Sequence, residues 1–254
     1  MAVPGLYARA LAWWRPSDYE RRVYAALVRR GDVVIDVGAN RGFFTLLFSD
    51  LVGARGRVHA FEPVAQNFEA LQQNVLGGAR YDNVVLNPVA CSNRAGGAEM
   101  WIPPLDPAQA SLTPHHHGSW TRPGAPASQR VETVTLDDYV FRSGLSRIDL
   151  LKCDVEGAEL PVLKGMAGAL ARLHPLLVLE AFTPWARDHG YALQDLAGFV
   201  RQHGYDRLIL VTGTGLMAVE GSLEDVTDPG VSLLCAVTRQ HEDRLDALQS
   251  LCRP

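Results

Sequence analysis

Brief runs of branched aliphatic residues are too short for helices and too apolar for loops, and VVID at 33–36, three such residues ahead of Asp36 and shut between Gly31 and Gly38, is one of them. A strand of this kind is buried on both faces. The spacing after it is helical: FFTLLFSDLV runs from Phe43, and beyond a second apolar run, RVHAF (57–61), Phe68, Leu71 and Val75 recur at helical intervals. The alternation continues through VVLNPVA (84–90), IDLLKC (148–153), an amphipathic stretch from Ala158 to about Leu173, and LLVLEAF (176–182). Leu193, Leu196, Ala197 and Val200 then form a helical set stopped by Gly204, and RLILV (207–211) is the next strand. Strands that alternate with helices predict a parallel sheet covered by helices on both faces. VSLLCAV (231–237) follows RLILV across a polar loop without a clear helix, so this last pair is expected to be antiparallel.

With 254 residues, 47% of them hydrophobic, the chain can bury one substantial core. The expected organisation is an N-terminal helical segment over 1–30, one α/β domain over 31–240, and a C-terminal helix or tail over 241–254. Ser17 and Glu20 have capping-box spacing for a leading helix over about 18–30, which Gly31 ends. One segment breaks the rhythm: between Met100 and Arg130 lie six prolines, the run His115-His116-His117 and Trp120. Flanked by AEMWI (98–102) and RVETVTL (130–136), the insertion at about 103–130 reads as a long surface loop of the lid or binding kind.

The 24 basic and 28 acidic residues are spread along the chain, without the concentrated basic surface that a nucleic acid requires. Cys91, Cys153, Cys235 and Cys252 lie far apart with no CxxC pair, as expected of reduced thiols in a cytoplasmic protein. Neither a secretory signal nor a membrane span is expected. Leu6, Leu11, Trp13 and Trp14 could form an apolar flap, and Trp13, Trp14 and Trp120 are read as surface tryptophans serving a substrate or a homo-oligomer contact.

The turn that follows the first strand, IDVGANRGFF (35–44), lies where open parallel sheets bind ligands. Gly38 and Gly42 permit positive φ or a close backbone approach. Glu62 ends the second strand, where a carboxylate can accept hydrogen bonds from both hydroxyls of a ribose. A dinucleotide would call for G-x-G-x-x-G under its pyrophosphate, whereas this chain has G-x-x-x-G, with Asn40 in place of the second glycine. S-adenosylmethionine needs no phosphate cradle, and Asp36 is placed to meet its cationic amino group. A cap for the following helix is the alternative role for Asp36, and a solvated residue that for Glu62.

The segments IDVGANRGFFT (35–45), FEPVAQNFEALQQNV (61–75), NPVACSNRAG (87–96), VTLDDYV (134–140) and LLKCDVEGAELPVLKGM (151–166) resemble the FkbM family of class I S-adenosylmethionine-dependent methyltransferases. The resemblance covers roughly residues 30–185 and implies a Rossmann-like α/β fold with a seven-stranded sheet in the order 3-2-1-4-5-7-6, strand 7 antiparallel. It also implies cofactor-turn roles for Asp36, Gly38, Asn40 and Gly42, and the ribose acceptor role for Glu62. Ala90, Cys91 and Ser92 would flank the adenine, and Asp154 would face the methyl-donor end. Cys153 stands where the family more often has a branched aliphatic residue.

KCDVEGAE places Lys152, Asp154, Glu156 and Glu159 together at the mouth of the sheet. Glu159 can serve instead as a first-turn carboxylate of the next helix, with Pro161 tolerated there. Methyl transfer to a hydroxyl releases a proton. The candidate bases are Glu156, then Glu180 at the end of LLVLE, then a histidine of 115–117, and Lys152 is expected to pair with a carboxylate. A metal held by Asp154 and Glu156 is conceivable but not expected. The expected activity is S-adenosylmethionine-dependent O-methylation of a small or medium-sized molecule bearing a hydroxyl, such as a secondary metabolite or a sugar. N-methylation and a non-catalytic cofactor-binding module are the alternatives.

Overall fold

The computed structural model describes residues 19–77, 81–212, 215–223 and 232–250. Ser17, Leu6, Leu11, Trp13, Trp14 and Cys252 lie outside them, so the expectations placed on those residues concern undescribed segments. The chain opens with α1 (Tyr19–Leu27), then β1 (Val33–Val37), α2 (Phe43–Val52), β2 (Arg57–Phe61), α3 (Ala65–Leu76) and β3 (Val84–Asn87). A side branch follows: β4 (Ala90–Cys91), β5 (Gly96–Ile102) and β6 (Ala127–Val134). The chain returns through α4 (Leu136–Arg142), β7 (Leu150–Cys153), α5 (Glu159–Lys164), α6 (Ala167–Leu173), β8 (Leu176–Ala181), α7 (Thr183–Asp188), α8 (Leu193–Gln202) and β9 (Arg207–Thr212). It closes with β10 (Gly215–Ala218), β11 (Ser232–Val237) and α9 (Glu242–Ser250).

The main sheet runs β10-β9-β11-β8-β7-β1-β2-β3, with β1, β2, β3, β7 and β8 parallel. β11 is antiparallel to both β8 and β9, as expected of the final pair. The seven-strand order implied by the resemblance is therefore present, with one edge strand more. That strand, β10, pairs antiparallel with β9 inside the stretch expected to be a polar loop.

Three further expectations need correction. VVLNPVA is not one strand: β3 ends at Asn87, and Ala90 and Cys91 leave the main sheet to pair with β6. The 103–130 insertion is not all loop, since two 3-10 turns (Pro107–Gln109, Gly118–Thr121) interrupt it and β6 begins within it, antiparallel to β5. The stretch from Ala158 to Leu173 breaks into α5 and α6 around Gly165, where an added Cβ would stand 2.1 Å from the carbonyl oxygen of Ser92.

Two apolar layers sandwich the sheet. On one side Tyr24 of α1 meets Phe48 of α2 edge-on, with ring centroids 4.9 Å apart. On the other side Leu151, Leu163, Met166, Leu170 and Tyr205 are fully buried. Cys91, Cys153 and Cys235 are free thiols buried within these layers, where they act as small apolar fillers. The VTL end of RVETVTL enters α4, where Thr135 is the N-cap and accepts a hydrogen bond from the Asp138 amide at 3.1 Å. Thr135→Ala is expected to lower stability by about 1 kcal/mol, read as a shift in the urea midpoint at unchanged slope. Among the described residues, no helix is long and apolar enough to cross a membrane.

Candidate active site

Strands β1, β2 and β7 end side by side, and the turns beyond them form one rim. After β1, Gly38, Asn40 and Gly42 all take positive φ (77°, 50° and 91°), which folds the turn back on itself. Gly38 and Ala39 both donate to the Phe61 carbonyl, at 3.1 and 2.9 Å, tying the turn to the end of β2. A Cβ on Gly38 would lie 1.8 Å from the Asp154 carbonyl oxygen, so the turns after β1 and β7 are in direct contact. Gly42 is the left-handed residue that opens α2 and packs on Leu71 of α3.

Glu62 receives the Asn40 amide at 2.8 Å on Oε2 and the Val64 amide at 2.9 Å on Oε1. It is 4% exposed. Burial pushes its carboxyl up to about 7, against the opposing pull of those two amides. The amide oxygens of Asn40 and Asn67 are buried nearby without a hydrogen-bond partner.

A cavity of about 550 Å³ opens on this rim. Gly38, Asn40, Glu62, Ala90, Cys91, Lys152, Asp154 and Glu156 all line it, so eight of the anticipated residues share one space. Asp36, Gly42, Ser92 and Glu180 are not in its wall. Asp36 is fully buried: its carboxylate accepts from the Thr45 hydroxyl at 2.6 Å and lies 3.2 Å from the Lys152 ammonium. The expectation that Asp36 itself meets an amino group is corrected accordingly, because Lys152 already occupies it. Ser92 donates its amide to Val134 and turns its carbonyl to Gly165, leaving Ala90 and Cys91 on the cavity side.

Lys152, 2% exposed, donates to the Gly38 carbonyl at 2.9 Å and sits 3.5 Å from Asp154 Oδ2. Burial alone would lower its pKa, but Asp36 and Asp154 outweigh this and hold the ammonium above the usual lysine range. Glu159, at the start of α5, accepts the Val155 and Gly157 amides and the Tyr191 hydroxyl. It is thus the helix-start carboxylate of the alternative reading. Asp154, Glu156 and Glu180 each bring one carboxylate oxygen within 4.8 Å of the others. Burial and then the negative charge of Asp154 drive the carboxyls of Glu156 and Glu180 upward.

The long insertion is anchored rather than loose. His115 is buried, stacked on Trp185 and edge-on to Trp120. The expectations of a surface loop at His115 and of a surface Trp120 are therefore corrected, and of the three adjacent histidines only His116 and His117 are exposed. His115 donates through Nε2 to the Glu156 carbonyl at 2.8 Å and faces Asp188 with Nδ1 at 2.9 Å. Ser111 donates to the same Glu156 carbonyl at 2.9 Å, so the 3.0 Å contact with His189 Nε2 has the imidazole N–H donating to the serine oxygen. Sequence reasoning missed Asn67, Ser111, Asp188 and His189. Only Asn67 left a signal, as a polar residue flanking the apolar face of α3; its side chain donates to the Pro107 carbonyl at 3.0 Å.

The sheet order and the rim of turns define a Rossmann-like methyltransferase fold. It is shared with the solved methyltransferase FkbM of Methylobacillus flagellatus, which superposes with a TM-score of 0.53 at 16% identity over 90% of this chain and 57% of that one. Residues 36–207 match the family described as the Methyltransferase FkbM domain, and the chain belongs to that family of S-adenosylmethionine-dependent methyltransferases. It is similar to the 31-O-demethyl-FK506 methyltransferase FkbM of Streptomyces tacrolimicus, 30% identical over 200 residues, which span 70% of this chain and 74% of the relative. It is also similar to the 2-O-methyltransferase NoeI of Sinorhizobium fredii, 30% identical over 159 residues, which span 57% of this chain and 61% of the relative.

Proposed function

We propose that the protein is an O-methyltransferase that moves the methyl group of S-adenosylmethionine to a hydroxyl of a small or medium-sized acceptor. The observation that carries this reading is one cavity with a ribose-type carboxylate, Glu62, on its wall and the carboxylates of Asp154 and Glu156 on the same wall. The residues fit the cofactor: Glu62 has spare lone pairs beyond its two amide bonds, and Asn40 and Asn67 offer buried amide oxygens that still lack a partner. Two relatives whose names specify an oxygen as the methylated atom support the choice of a hydroxyl.

S-adenosylmethionine, when bound, supplies a sulfonium methyl group open to in-line displacement. Glu62 would accept the ribose hydroxyls, and Ala90 and Cys91 would offer an apolar face to the adenine. Lys152 holds Asp154 and the Gly38 carbonyl together, so the methyl-donor end and the first turn move as one piece. Glu156 or Asp154 would take the proton that the acceptor hydroxyl gives up on methylation. Alignment can supply roughly 7–11 kcal/mol, against about 3–5 kcal/mol for a general base. The apolar residues Leu105, Pro107 and Leu112 of the insertion complete the cavity and shape the acceptor space.

Calorimetric titration of S-adenosylmethionine tests the cofactor end. Glu62→Ala is expected to weaken binding by about 10–100-fold, the loss of one or two charge-assisted hydrogen bonds; equal affinity would remove Glu62 from the site. The ionised carboxylate is the better acceptor, so wild-type affinity should fall as pH drops below about 7 and level off above it. Locating the new methyl by NMR, after turnover on a panel of hydroxylated and aminated acceptors, tests the acceptor end. Methylation on nitrogen alone would overturn O-transfer.

A further inference from the structure

Parallel pairing of β7 with β8 sets Cys153 opposite Leu179, which places the next residues, Asp154 and Glu180, side by side at the ends of neighbouring strands. Glu156 joins them from the following turn, held at φ 56° by Ser111 and His115 on its carbonyl. Their three carboxylate oxygens lie within 4.8 Å of one another. Glu180 is 7% exposed, and its Oε2, like Oε2 of Glu156, is buried with no hydrogen-bond partner. Lys152 does not balance this charge, because its single ammonium is divided between Asp154 at 3.5 Å and Asp36 at 3.2 Å. Two buried carboxylate oxygens without a hydrogen-bond partner, in a cluster of three carboxylates of which Glu180 is buried, call for a cation among them.

We propose that Asp154, Glu156 and Glu180 bind one divalent cation, on which the acceptor hydroxyl is held for methylation. The second half of that statement rests on the methyl-transfer reading above; the site itself does not. All three donors are carboxylate oxygens, which selects hard ions such as magnesium, manganese or calcium over zinc or copper. Two oxygens on one ion at 2.3–2.6 Å can be up to about 5 Å apart, so the present spacing already spans a calcium-sized ion. A magnesium-sized ion draws the oxygens together by some tenths of an ångström. An acceptor oxygen on the ion becomes more acidic, and its proton passes to a free carboxylate oxygen of the cluster as the methyl is captured.

The full chain, stripped with a chelator and dialysed, is titrated with manganese(II) alone, and the free ion is followed by electron paramagnetic resonance. Saturable binding of one equivalent is expected, weakened roughly tenfold or more in Glu180→Gln and in Asp154→Asn. A wild type that binds no manganese at millimolar concentration would overturn the proposal, as would binding unchanged in both variants. Circular dichroism and thermal unfolding of the same stripped samples show whether each variant is folded, and S-adenosylmethionine affinity is measured on the wild type beside them. That affinity separates the two readings: cofactor binding without manganese binding keeps the methyltransferase reading and ends the cation site, whereas the reverse keeps the cation site.

Discussion

Glu156→Gln is expected to lower methyl transfer by about 10²–10⁴-fold and to leave S-adenosylmethionine affinity within a factor of a few. The carboxylate lines the cavity beside Asp154, while the predicted cofactor contacts at Asn40, Glu62 and Ala90 belong to other turns and stay intact. Glutamine keeps the shape but can neither take a proton nor carry the negative charge. If the group works only in the transition state, kcat and kcat/KM fall together. Asp154→Asn should behave alike, with an added loss because its partner Lys152 is left with Asp36 alone. Pre-steady-state turnover on the acceptor identified by the screen measures both. Full activity in the two variants would remove these carboxylates from the chemistry.

The second large effect concerns the backbone. Gly38→Ala is expected to destabilise the fold by more than about 4 kcal/mol, in the exceptional range for a single substitution. Two causes combine: a φ of 77° that L-residues rarely adopt, and a new Cβ 1.8 Å from the Asp154 carbonyl oxygen. Gly190 separates them. It has nearly the same φ, 78°, but nothing within 4 Å of an added Cβ. Gly190→Ala therefore carries only the conformational strain, on the order of 1 kcal/mol. Thermal unfolding of both variants should show a small shift for Gly190→Ala and gross loss of folded protein for Gly38→Ala. Similar shifts in the two would mean that the turns after β1 and β7 can part easily.

The sheet was legible because its central strands are buried on both faces and carry runs of apolar residues that no other element would tolerate. β10 was not, since Gly-Leu-Met-Ala at an exposed edge has neither the length nor the alternation of a strand. The break between α5 and α6 was hidden because apolar periodicity runs through Gly165; the close approach of Ser92 that interrupts it comes from a distant part of the chain. In the site, Glu62 and Asp154 could be read because each ends a strand at a recognisable spacing. Glu180 could be found as a strand end, but its place beside Asp154 depends on strand register, which local patterning does not encode. The contact of His115 with Asp188 joins residues 73 positions apart, and nothing in the histidine run distinguishes its first member from the two that face solvent.

The two donors on the Glu156 carbonyl, Ser111 and His115, come from the same insertion that lines the cavity at Leu105, Pro107 and Leu112. If that cavity holds the acceptor as proposed, recognition and reactivity are not separate modules in this protein. An ill-fitting acceptor that pushed the insertion aside would then also loosen the left-handed Glu156, and poor substrates would be penalised in rate as well as in affinity. For redesign, a transplanted insertion must bring its own partners for residue 156, or a chimera that binds a new acceptor will be slow to methylate it.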